Sequence, residues 1–288
     1  MTSYLMVLAA VVLLSLDFAV TKFYQKREGA AVTAGLYYNA AIGLFSGFLF
    51  WGLSGFRFSL TPFSTVMAAA MALCAVVYTL IGFRIMKKGN MAVYTLFLMS
   101  GGMLLPYIYG LIFLEETFSM LRLVGLCAIL VAVVLSNGAR GKADKELLLL
   151  CTAVFILNGL VSIVSKCHQI EAEYKVVGSA QFVMLTGFAK FILCGAALLA
   201  VHRKEKETLP KVTGVLPLVV GSAALSGGSY LLQLVGAKEL PATVLYPMVT
   251  GGSVLFTAFA AKLFFREKIT ARQWISIGLC ILGTLLFL

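Results

Sequence analysis

Charge is what this chain has least of. Only 12% of its 288 residues are charged, against roughly 25% for an ordinary soluble domain, and 61% are hydrophobic. A soluble globule is excluded. Histidine is almost missing, with only His168 and His202, and the six cysteines (Cys74, Cys127, Cys151, Cys167, Cys194 and Cys280) are scattered singly, with no C-x-x-C pair. That spacing offers neither a metal site nor a disulfide frame, and lone cysteines in apolar runs read as small packing residues. The 12 Asp and Glu residues never cluster within an apolar run, unlike the metal-holding acids of a membrane enzyme acting on lipid-linked phosphates. The phosphate loop G-x-x-x-x-G-K followed by Ser or Thr is also absent. The expectation is therefore no enzyme, no catalytic residue, no metal, no cofactor and no ATP.

What is present is apolar length. Runs long enough to cross a bilayer, about 20 residues each, occupy residues 4–22, 31–53, 64–85, 91–113, 120–137, 147–165, 178–201, 213–235, 241–264 and 272–288. Little chain remains between them, so whatever the protein does is done within the membrane or at its edge. The first run follows Met1-Thr2-Ser3 with no basic lead, and is read as a retained helix rather than a signal peptide. The net charge of +11 sits in short loops, as topology signals do, so nucleic acid is not an expected partner; the lipid bilayer is.

Those loop charges are lopsided. Arg57, Arg122, Lys166, Lys175 and Lys238 fall on one side, whereas Lys26, Arg27, Arg84, Lys87, Lys88, Arg140, Lys142, Lys145, Arg203, Lys204, Lys206, Arg266, Lys268 and Arg272 fall on the other. The positive-inside rule makes the second side cytoplasmic, which puts both termini outside.

The second half also repeats the first. Ser100-Gly101-Gly102 recurs 150 residues later as Thr250-Gly251-Gly252, with Lys88, Ala92 and Glu116 matched by Lys238, Ala242 and Glu267. Lys22-x-x-Gln25 and Gly43 recur 144 residues later as Lys166-x-x-Gln169 and Gly187. The predicted fold is an all-α integral membrane protein of ten transmembrane helices in two five-helix repeats, residues 1–140 and 141–288. Five helices is an odd number, so the repeats run in opposite senses, as in many secondary transporters that bind solute where the halves meet.

The stretch Pro241-Ala-Thr-Val-Leu-Tyr-Pro247, followed by Glu267, Gly278 and Gly283, resembles the last two helices of the ten-helix, EamA-like branch of the drug/metabolite transporter superfamily. The first half keeps Glu116 and Gly125 but has Phe97 where the second has Pro247, and only Arg57 lies between the second and third spans, where members usually carry more basic residues. The resemblance implies a transporter in the cell membrane, with cytoplasmic termini in contrast to the loop count. Its solutes range over amino acids, drugs, sugars, nucleotide-linked sugars and other metabolites. Four-helix relatives work as antiparallel pairs, so a duplicated chain contains that pair; a monomer suffices and a dimer is compatible.

Polar residues inside spans are the candidates for touching a solute. Lys190 shares a face of the seventh span with Thr186, Gly187 and Cys194; the repeat-related stripe in the second span is Asn39, Gly43 and Ser46. Lys190 is read as an anion-binding or gating charge, or as half of a structural ion pair. Asp17, in the first span, is read as binding an amine, exchanging a proton, or pairing with Lys190 or Lys22. Lys22, Lys166 and Lys262 lie near span ends and read as interfacial anchors. Uncharged stripes run along the sixth span (Asn158, Ser162, Ser165), the eighth (Ser222, Ser226, Ser229, Tyr230, Gln233) and the ninth (Thr243, Tyr246, Thr250, Ser253, Thr257). Small residues also serve close helix packing; Tyr230, Gln233 and Tyr246 are poorly explained by it. The substrate-binding candidates are thus Asp17, Asn39, Asn158, Lys190, Tyr230, Gln233, Tyr246 and Thr250. Gly101, Gly102, Pro106, Pro247, Gly251 and Gly252 are candidate bending points, or kinks that improve packing. Together these point to a secondary transporter that moves a small polar or zwitterionic metabolite or drug by alternating access, driven by protons or exchange, with a channel or a membrane enzyme as the alternative.

Overall fold

Ten helices account for nearly all of the chain in a computed structural model that describes residues 2–29, 31–87, 91–137, 145–205, 212–266 and 271–287. They are α1 (Thr2–Glu28), α2 (Val32–Leu53), α3 (Pro62–Lys87), α4 (Met91–Phe113), α5 (Met120–Asn137), α6 (Lys145–Ile170), α7 (Ser179–Glu205), α8 (Val212–Glu239), α9 (Ala242–Phe265) and α10 (Ala271–Leu285). Each coincides with one of the apolar runs. Eight are long and apolar enough to cross a membrane, and α5 and α10 are shorter apolar helices. Lys88, Arg140, Lys142, Lys206, Glu267 and Lys268 lie outside the described residues.

Hydrocarbon faces outward. Leu149 is 70% exposed and Leu263 75%, which a bilayer tolerates and water does not. The protein is an all-α integral membrane protein, and its helices satisfy their own backbone groups as lipid demands.

Helices of the first five pack mainly against helices of the last five: α2 against α7, α1 against α8 and α9, α4 against α6, α3 against α6, and α5 against α10. Two of these seams are set by glycine. A Cβ at Gly43 would lie 2.7 Å from the Gly187 carbonyl oxygen, and one at Gly187 would lie 2.8 Å from the Gly47 nitrogen. The α2 and α7 backbones therefore touch. At the α5/α10 seam Gly125 and Gly283 approach each other in the same way, at 2.8 and 2.9 Å. Close backbone approach through small residues is how helices associate where there is no water to expel.

The ends of α4 and α9 are alike. Glu115 and Arg266, just past the ends of the two helices, both adopt left-handed backbone, φ 51° and 52°, and each immediately precedes in sequence one of the two repeat-related glutamates, Glu116 and Glu267.

Candidate functional site

Three of the polar stripes converge. Asn158, Ser162 and Ser165 on α6, Ser226, Ser229, Tyr230 and Gln233 on α8, and Tyr246, Thr250 and Ser253 on α9 line one cavity of about 360 Å³. Leu14 and Phe18 of α1, Tyr78 of α3 and Met99 and Gly102 of α4 complete the wall. The mixture of apolar surface with a few placed polar groups is that of a small-molecule site.

Hydrogen bonds hold the polar lining in place. The Asn158 amide donates to the Leu98 carbonyl at 2.7 Å, and the Tyr246 hydroxyl donates to the Ser162 carbonyl at 2.5 Å. Tyr230 and Ser165 share a hydroxyl bond of 2.9 Å. Gln233 donates to Ser229 at 3.1 Å, and Ser229 to the Ala10 carbonyl at 2.7 Å. Each amide uses one N–H, so the Asn158 and Gln233 side-chain oxygens remain as acceptors. The cavity thus offers acceptors, donors and aromatic rings. Among the described residues it offers no charge.

A second cavity of about 200 Å³ opens beside the α2/α7 seam, where Gly43, Ser46, Thr186, Gly187 and Lys190 meet. Val161, Ser226 and Tyr230 line both cavities, so the two adjoin, with Tyr230 between them. The stripes of the second and seventh spans face one another across this seam.

Asp17 and Asn39 line neither cavity. The Asp17 carboxylate accepts the Ser222 hydroxyl, which in turn accepts from the Tyr38 hydroxyl at 2.7 Å. Asn39 donates back to the Gly35 carbonyl of its own helix at 2.9 Å, the local bond that short amide side chains readily make. A zwitterion held between Asp17 and Lys190 therefore finds only its Lys190 end facing a cavity. Of the bending candidates, Pro106 and Pro247 lie inside uninterrupted helices. Gly101 sits where a Cβ would be 2.1 Å from the Phe155 carbonyl oxygen, and Gly251 where it would be 2.7 Å from the Thr284 hydroxyl. Gly102 faces the Asn158 amide. These glycines admit close packing of α4 on α6 and of α9 on α10.

Lys166 is not an interfacial anchor: it is 5% exposed, and its ammonium donates to the carbonyls of Ala237 and Leu240, both at 2.7 Å. The last carbonyls of a helix lack partners and carry negative potential, so a lysine reaching them from a neighbouring helix is drawn inward. Lys22 and Lys262 sit against aromatic rings instead, 4.6 Å from the centre of Phe265 and 6.0 Å from that of Trp274.

Glu116 makes the complementary cap, which the sequence pointed to only as a repeat marker. Its two carboxylate oxygens accept the N–H groups of Ala242 and Thr243, at 2.6 and 2.8 Å, at the start of α9. The turn between α8 and α9 is thereby clasped from both sides, by Lys166 on the outgoing helix and Glu116 on the incoming one. Tyr78, in the cavity wall, carries no signal in the sequence, because a single tyrosine in an apolar span makes no stripe.

The second half of the chain, residues 145–288, matches the EamA-like transporter family. Two curated relatives are each described as a probable 4-amino-4-deoxy-L-arabinose-phosphoundecaprenol flippase subunit ArnE. The one from Aeromonas hydrophila is 34% identical over 70 residues, 24% of this chain and 60% of its own length. The one from Yersinia pseudotuberculosis is 43% identical over 60 residues, 21% of this chain and 52% of its own. The chain thus spans about half the length of the curated relatives it matches. A solved crystal structure superposes with a TM-score of 0.80 over 99% of this chain and 96% of its own at 15% identity, which shows the fold alone. The family match over residues 145–288 agrees with the sequence resemblance, and the chain belongs to the EamA-like transporter family as a multi-pass protein of the cell membrane.

Proposed function

We propose that this protein is a secondary active transporter, not an enzyme or a channel, and that it moves a small polar metabolite bound in the cavity between α6, α8 and α9. The observation that carries this is the convergence of three polar stripes, from separate helices, on one cavity in an otherwise apolar body. Polar groups in a span that serve only packing meet backbone or one another; the Asn158 and Gln233 amides line the cavity and spend one N–H each on the wall, so bonding capacity remains for a solute. The five-helix halves, residues 1–140 and 141–288, rock about that cavity in alternating access, with protons or a counter-solute supplying the drive. Asp17, held by Ser222, is the proton-exchanging candidate. A single chain suffices for the cycle.

The test is counterflow. Proteoliposomes preloaded with one member of a panel of amino acids, sugars, nucleosides, organic acids and organic cations are diluted into trace label of the same solute. Transient, saturable accumulation is expected for one class and is lost in Gln233→Ala and Asn158→Ala; linear, non-saturating flux would make the protein a channel, and no flux of any class would overturn the reading.

A second reading is favoured by a separate feature. An apolar groove between α1 and α9, lined by Val12, Leu16, Phe256, Phe259 and Leu263 with Lys262 among them, would suit the hydrocarbon of a lipid-linked solute such as the ArnE name describes. Flux of lipid-linked but not free solutes would choose it.

A further inference from the structure

The two adjoining cavities differ in charge. The larger is lined by hydroxyls, amides and rings; the smaller holds Lys190, and neither lining contains a carboxylate. Lys190 is the cation of the pair. Its ammonium has no hydrogen-bond partner among the described residues, and no ion pair within 4 Å joins it to Asp17, whose carboxylate is engaged by Ser222.

An ammonium set deep in a membrane span without a bonded partner is costly. Lysines elsewhere in the same protein show what an occupied one looks like: Lys166 bonds two carbonyls at 2.7 Å. Around Lys190 the surroundings are small instead. Gly43 and Gly187 present no side chain, Ser46, Thr186 and Ser226 are short, and a cavity of about 200 Å³ lies among them and the lysine. The Thr186 hydroxyl already donates to the Val183 carbonyl at 2.9 Å, and Ser226 to the Ser222 carbonyl at 2.6 Å, so Lys190 and Ser46 are the donors left. Tyr230, common to both linings, stands where an acidic group in the small cavity would continue into a polar body in the large one.

We propose that the solute is an organic anion, with its carboxylate or phosphate seated against Lys190 and its hydroxylated body among Asn158, Gln233 and Tyr246. This rests on the reading of the larger cavity as the solute site and sharpens it to a chemical class. The absence of a carboxylate in either lining speaks against an organic cation or a zwitterion of which both ends are bound by charge.

The test compares charged solutes with neutral counterparts. Thermal stabilisation of the detergent-purified full chain is titrated with lactate, gluconate and glycerol 3-phosphate, and with propane-1,2-diol, glucitol and glycerol, then with chloride alone. At least one anion is expected to bind ten times more tightly than its neutral partner. Lys190→Gln should abolish that difference and Lys190→Arg retain most of it. Should Lys190→Gln fail to fold, the wild-type comparison decides alone. Neutral members binding as tightly as anions would overturn the anion assignment and leave the solute cavity standing. Equal stabilisation by chloride would reduce Lys190 to an inorganic-anion site and also overturn it. No stabilisation by any member would remove both.

Discussion

The α2/α7 seam and the α6/α8/α9 wall are built from the same short list of residues, yet at the seam backbone meets backbone beside a small cavity of about 200 Å³, whereas the wall encloses a larger one of about 360 Å³. Along the seam the small residues face each other, and Gly43 and Gly187 come so close that a single methyl group would overlap backbone. Along the wall, Tyr230, Gln233 and Tyr246 are interleaved with the serines, and their bonds to Ser165, Ser229 and Ser162 hold them upright as struts. A stripe of small polar residues in a membrane helix therefore has two outcomes. Glycine against glycine draws helices together; a long polar side chain fixed by its neighbour keeps them apart and leaves its remaining bonding capacity unspent.

Substitutions that trade one outcome for the other should be graded accordingly. The largest effect is expected for Gly43→Ala, where the new Cβ meets a carbonyl oxygen and a backbone nitrogen, neither of which can swing away; overpacking of this kind costs about 3 kcal/mol, read as a lowered thermal midpoint in detergent, and Gly43→Leu should yield no monodisperse protein. Next comes Lys166→Met. It removes two charge-assisted bonds worth about 1.5 to 3 kcal/mol each before the relieved desolvation is subtracted, so a net loss of about 2 kcal/mol is expected, measurable in the same melt. A midpoint equal to wild type would show that the clasp on the α8/α9 turn contributes nothing.

On the wall the expectation reverses, with function more sensitive than stability. Tyr246→Phe deletes one bond to a backbone carbonyl, about 1 kcal/mol, but frees the ring to fall into the cavity. A drop in counterflow of tenfold or more with a midpoint within a few degrees of wild type is expected; a large fall in stability with flux preserved would make Tyr246 a packing residue. The smallest effect is Asn39→Ala. Since Asn39 bonds only within its own helix, transport should stay within twofold of wild type, and a larger loss would place Asn39 on the solute path.

The helices themselves were legible because hydrocarbon length is a one-dimensional property: the seventh run, placed at residues 178–201, is α7 at Ser179–Glu205. The stripes on α6, α8 and α9 were legible for a related reason, since the helical period puts each on one face whatever lies opposite. What lies opposite was not. Asp17 and Ser222 are 205 residues apart, and nothing local says that the carboxylate finds a hydroxyl rather than Lys190. Lys166 looks like any lysine near a span end until the carbonyls of α8 are placed beside it. Glu116 was visible only as a repeated letter, because capping a helix 126 residues away leaves no local signature. Charged and single polar groups are decided by partners, and partners are tertiary.

The central claim, that the wall encloses a solute site, is tested most directly by ligand-induced stabilisation of wild type and Gln233→Ala side by side. A ligand bound only by the folded protein adds about 2.7 kcal/mol at a hundredfold excess over its Kd. The account predicts a solute that raises the wild-type midpoint and leaves Gln233→Ala unmoved, although the two unliganded proteins melt within a few degrees of each other. Equal stabilisation of both by the same solute would contradict it and place the site elsewhere in the protein.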